Sequence, residues 1–216
     1  MANDPIVVGI DVGGPTKGFH AVALAGGRYH ATLASKDIAE LAHWSVRDMG
    51  ATVIAIDAPC GWSMTDRCRL AERELMERRI FCFATPTKAT AADRPFYHWM
   101  LKGMALYDAL APTHPVRDPR SPGRTHYCIE TFPHAITHQF LGVNATARKK
   151  REQRRALLDR LGIDRTALTN IDKVDAALCA YVAHRAATRA ALQAYGEEAT
   201  GLIVVPQMAK RFFAGV

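Results

Sequence analysis

The chain has 216 residues, 49% of them hydrophobic and 23% charged, which is material for one large domain with a real core and leaves no apolar run near membrane-spanning length. Its formal net charge of +7 favours a polyanionic partner, since charge speaks to association and not to fold. Cys60, Cys68, Cys82, Cys128 and Cys179 are odd in number and form no Cys-x-x-Cys pair, which argues against a disulfide framework or a thiolate zinc site; the start "MANDPIVVGI" has no signal-peptide layout, and a cytoplasmic protein is expected.

In chain order, residues 6–11 read as a buried strand rich in Val and Ile that ends in Asp11. "FHAVAL" and "RYHATLA" read as two more strands, with "AGGR" as the hairpin signal between them. Ser35 is the expected N-cap of a helix over about 36–49, closed by Gly50. "TVIAID", 52–57, is a further buried strand ending in an acid. Ser63 with Asp66 resembles a capping box and predicts a helix over 65–79. "FCFATPTKATAADRP" reads as a loop, 96–110 as a helix, and "APTHPVRDPRSPGR" as a connector. "THYCIETF" is a strand, and Pro133 opens a helix to about 140. "ARKKREQRRALLDRLG" is a basic helix, "IDKVDAALCAYVAHRAATRAALQAYG" one long helix, and "GLIVVP" a last strand. The mixture predicts an α/β fold.

Asp11, Asp57 and Glu130 each end an apolar strand, where ligands gather in open α/β sheets. Asp172 and Asp175, three apart on a helix, share one face. Carboxylates brought together persist as anions only with a cation between them, and Mg²⁺ or Mn²⁺ suits oxygen donors. Two such ions can serve phosphodiester hydrolysis. The bland reading is that a strand-end Asp caps a turn. Lys149, Lys150, Arg151, Arg154 and Arg155 could contact phosphates, against the bland reading of a solvated helix face. His134 and His138 have a workable zinc spacing but lie outside any His-Glu-x-x-His pattern, and surface histidines are the simpler reading. Trp62, Trp99 and the aromatics of 96–99 could stack bases or fill a core.

The layout of a strand Asp, two more strands, a second strand-end acid and a C-terminal helix with Asp-x-x-Asp resembles ribonuclease H-like nucleases, nearest to Holliday-junction resolvases in arrangement. More closely, "GIDVGG", "IAIDAPCGW", "DRCRLAERELMERR", "FATPTKA", "IETFPHA", "KKREQRRALL", "IDKVDAALCAYVA" and "GLIVVP" resemble, in order, the domain-of-unknown-function 429 family of predicted nucleases. The resemblance implies one domain with a mixed five-stranded sheet and a helical insertion over about 60–125. It implies metal binding by Asp11, Asp57 and Asp175, with Asp172 as companion and Glu130 as a further ligand or general base. Arg67 and Arg69 would be phosphate contacts in the same cleft. Pro15 departs from the family pattern and removes a backbone donor from its loop.

The expected activity is divalent-metal-dependent cleavage of DNA or RNA. Resolvases are dimers, so a homodimer is open, though no heptad supports one. The alternatives are a non-catalytic nucleic-acid- or protein-binding module on a nuclease fold, and a sugar-kinase-like phosphotransferase. "GIDVGGPTKG" resembles the first phosphate loop of sugar kinases and actin-like ATPases, but "DAPCGW" after Asp57 supplies no second phosphate loop.

Overall fold

A computed structural model describes residues 4–14, 16–65, 67–121, 123 and 125–208. Strands β1 (Ile6–Val12), β2 (Phe19–Ala25) and β3 (Arg28–Ser35) form an antiparallel meander. A short helix α1 (Ile38–His43) runs into a wider π-helical turn at 44–48. Strand β4 (Val53–Asp57) then returns parallel to β1. Helices α2 (Leu70–Glu77), α3 (Lys88–Asp93) and α4 (His98–Leu110) lie between β4 and β5 (Tyr127–Glu130). Helices α5 (Pro133–Leu141), α6 (Lys150–Arg160) and α7 (Ile171–Ala187) follow, then the hairpin β6 (Leu192–Glu197) and β7 (Gly201–Pro206). The described strands make one sheet in the order β3-β2-β1-β4-β5-β7-β6. Among the described residues no helix is long and apolar enough to cross a membrane.

The central strands are buried on both faces, so they read as continuous apolar runs without alternation. Val7, Val22, Val53, Ala55 and Ile129 pack with α7 on one face. Val8, Ile10, Ala21, Ile54 and Ile56 pack with Leu41 of α1 and Leu106 of α4 on the other. This two-period split decides which side chains reach the site.

The expected sheet of five strands is corrected to seven. The long helix expected to continue through "ALQAYG" ends at Ala187, and Arg189 turns left-handed at φ 54°. Residues 192–197 instead pair antiparallel with β7 and bury Tyr195. Their composition favours a helix, but non-local pairing overrides propensity. The helix expected over 36–49 is capped by Asp37, whose side chain accepts from Ala39 N and Glu40 N, and not by Ser35. The helix expected from 65 starts at Leu70; of the proposed Ser63–Asp66 box, Asp66 lies outside the described residues, as does Pro15. The expected loop at 81–95 contains α3, which Thr87 caps by accepting from Thr90 N.

Candidate active site

The parallel register of β1 and β4 sets Asp11 directly opposite Asp57 at the carboxyl ends of both strands. Val7, Gly9 and Asp11 alternate onto the α7 face, as do Val53, Ala55 and Asp57. Gly9 controls how close α7 comes. A Cβ there would lie 2.0 Å from Ala180 N and 2.1 Å from Ala176 O, so the helix backbone rests on bare strand backbone. Asp175 precedes Ala176 and is carried to the same place, with Asp172 almost one turn nearer the helix N-terminus.

Asp11 and Asp175 are buried, whereas Asp57 is half-buried and opens to a narrow cleft. Burial, then the charges of Asp175 and Asp172, push the Asp11 carboxyl up to about 8, against the pull of Lys17 and Arg154. Burial, followed by Asp11 and Asp175, pushes Asp57 well up as well. Burial also raises Asp175, and Arg154 opposes it. Arg154 comes from α6 with Nη1 2.5 Å from Asp175 Oδ1. Lys17, in the β1–β2 turn, sets Nζ 3.1 Å from Asp172 Oδ2.

The structure adds His20, which sequence reasoning passed over. It is the register partner of Asp11 on β2, is buried, and lies 3.4 Å through Nε2 from Asn170 Nδ2. Its Nδ1 is buried with no hydrogen-bond partner among the described residues. Burial pushes its imidazole down, against the pull of Asp172. Only the hairpin register reveals it: Gly13 N donates to Gly18 O, and that closure sets residue 20 across from residue 11.

Glu130, Arg69 and Arg154 are placed differently from the sequence expectation. Glu130 is the register partner of Ile56, one position out of step with Asp57; it lines the same cleft and its charge adds to the rise of the Asp57 carboxyl, but its own carboxylate is taken up by Arg69. Arg69 is buried and points away from solvent. Its Nη1 and Nη2 donate to Glu130 at 2.8 and 2.6 Å, and its Nε donates to Glu72 Oε1 at 2.7 Å. Arg69 is therefore corrected from a phosphate contact to an internal clamp, since both of its faces are taken by carboxylates. Arg154 is likewise buried on Asp175 and does not belong to the solvated basic face. Arg67 is exposed in the loop before α2, and Lys149 and Lys150 are exposed where α6 begins. Lys150 is close enough for its charge to favour the Asp175 anion.

Among the described residues no three His, Cys, Asp or Glu side chains already stand together as a metal seat. The donor set nonetheless fits a hard divalent cation in kind. Asp11, Asp57 and Asp175 offer only carboxylate oxygens, and their burial and mutual repulsion call for positive charge. Arg154 supplies that charge here.

The family model described as "Protein of unknown function (DUF429)" matches residues 9–200. The chain belongs to DUF429. The DUF429 match spans Asp11, Asp57, Glu130, Asp172 and Asp175 as well as Arg69 and Arg154, so both the aspartate group and the internal clamp lie in family sequence. No curated protein and no solved structure matches this DUF429 chain.

Proposed function

We propose that this DUF429 chain is a divalent-metal-dependent phosphodiesterase acting on nucleic acid, built on a ribonuclease H-like sheet. The observation that carries the reading is the opposition of Asp11 and Asp57 at adjacent strand ends beneath Asp175. The order β3-β2-β1-β4-β5 within the sheet supports the fold assignment. Asp11, Asp57 and Asp175 would hold Mg²⁺ or Mn²⁺, with Asp172 outside them. A bound cation supplies Lewis acidity at the phosphate oxygens and neutralises charge as the phosphodiester is cleaved. Arg154 pairs with Asp175 and balances its charge in the metal-free chain, a role that a bound cation would share. Lys17 holds Asp172 at the rim, and Lys150 offers an exposed charge toward the phosphate.

The Arg154–Asp175 pair favours a second reading, a metal-free binding module whose acids are neutralised internally. One titration separates the two. Mn²⁺ or Mg²⁺ added to wild type at a hundredfold over its dissociation constant is expected to stabilise the fold by about 2.7 kcal/mol, seen as a rise in Tm. Asp11→Asn is expected to abolish the rise, and Asp175→Asn to abolish cleavage of single- and double-stranded substrates. A flat titration in wild type favours the binding module.

A further inference from the structure

Beside Asp57 the chain exposes aromatic surface that the core does not use. Phe83 is 64% exposed and Phe96 58% exposed. Their ring centroids are 5.4 Å apart in an edge-to-face arrangement, and Phe83 meets Trp99 in the same way at 6.5 Å. Burying an aromatic ring is a large source of folding energy, so two adjacent rings left in water call for an occupant. The rings are not remote from the aspartates. Phe83, Trp99 and Asp57 line one cleft of about 50 Å³. That volume has room for one or two waters but cannot enclose a planar base, so an occupant must lie on the outer ring faces.

The chemistry around the rings selects the occupant. Arg79 precedes the Ile80–Phe81 segment, Lys88 opens α3, and Arg94 leads directly into Pro95–Phe96; all three are exposed. None of them takes part in an ion pair among the described residues. The segment 79–96 that carries the rings holds exposed Arg79, Lys88 and Arg94 against a single exposed acid, Asp93, so flat apolar faces in a stretch of net positive charge complement a ligand that is flat, apolar in its face and anionic along its edge. An apolar protein partner would leave those cations without counter-charge.

We propose that Phe83 and Phe96 form a stacking platform for the unpaired bases of a single-stranded nucleic acid whose backbone runs past Asp57. Stacking on aromatic rings is sequence-tolerant, because every base has a π face, and the flanking cations take the phosphates. A duplex keeps its bases stacked on one another and cannot use the platform, so the site selects single strands or frayed ends. The direction of the strand toward Asp57 rests on the phosphodiesterase reading. The platform itself does not.

The test is fluorescence anisotropy with a labelled single-stranded oligonucleotide in EDTA, so that the metal site plays no part. Wild type is expected to bind the single strand more tightly than the matched duplex and than an abasic strand of equal length. Phe83→Ala and Phe96→Ala are each expected to weaken single-strand binding about tenfold, with Tm unchanged because both rings are exposed. Phe96→Trp is expected to restore or exceed wild-type affinity. Alanine variants that bind like wild type, or equal binding of abasic strand and duplex, would overturn the proposal. So would a wild-type dimer that the alanine variants dissociate, since the occupant would then be a second copy of the chain. Base-dependent binding without any Mn²⁺-induced rise in Tm would remove the phosphodiesterase reading and leave the platform standing.

Discussion

A single missing carbon at residue 9 brings the site together. The β1 backbone meets α7 at Ala176 and Ala180, and the atoms a Cβ would strike are main-chain N and O, which cannot rotate aside as a side chain would. Gly9→Ala must therefore displace the helix as a body. Overpacking a core costs roughly 1–3 kcal/mol, and a backbone obstruction belongs at or above the upper end. Urea denaturation is expected to register that loss. The same shift moves Asp175 away from Asp11 and Asp57, so the variant is also expected to lose any metal-induced rise in Tm while remaining folded. A Gly9→Ala protein as stable as wild type would mean that α7 does not sit where the strand requires it. His20 belongs to the same scale: one register step decides that an imidazole, and no aliphatic side chain, faces Asp11 across the hairpin.

Between elements, the Arg69 clamp joins the entrance of α2 to the end of β5 and to the β6–β7 turn. Its guanidinium reaches Glu72, Glu130 and Thr200 O, and Cys60 N adds a donor to Glu130 at 2.8 Å. Removing the cation strands two buried carboxylates, and losses of about 3–5 kcal/mol follow when a buried pair is broken from one side. Arg69→Ala is expected to show that loss in urea denaturation, whereas Arg67→Ala, in the exposed loop, is expected to stay within about 0.5 kcal/mol of wild type. Arg69 and Arg67 look alike in the sequence, two residues apart in "DRCR", and nothing local says which one turns inward. The strand-end acids show a similar division. Asp11 and Asp57 were legible because each ends an uninterrupted apolar run, and their opposition follows from parallel pairing. Glu130 satisfies the same rule but stands one register position out of step with Asp57 and is taken up by Arg69, which no local pattern reveals. Strand β6 was not legible at all, because Ala-rich "RAALQAYG" carries helix propensity and its strand state exists only through pairing with β7.

Over the whole molecule the positive charge is concentrated. Residues 148–160 carry seven Lys or Arg against two Asp or Glu, which amounts to five of the chain's seven net charges. Two members of that set do not face solvent freely. Arg154 is spent on Asp175, and Arg155 donates to Leu168 O and Thr169 O. Lys149, Lys150 and Arg151 remain exposed at the start of α6, one turn from Arg154 and hence beside the aspartates. If each neutralises one phosphate of a bound single strand, binding releases about 0.7 counterion per contact. Changing all three to Ala is then expected to make the slope of log K against log salt shallower by about two, with the preference for unpaired bases intact because the rings are elsewhere. Arg154→Ala is expected to behave in the opposite manner. It leaves that slope nearly unchanged, since its charge is already compensated, and it tightens Mn²⁺ binding by vacating Asp175. A triple variant with the wild-type slope would make the α6 face a solvated one and shift the phosphate contacts toward Arg79, Lys88 and Arg94.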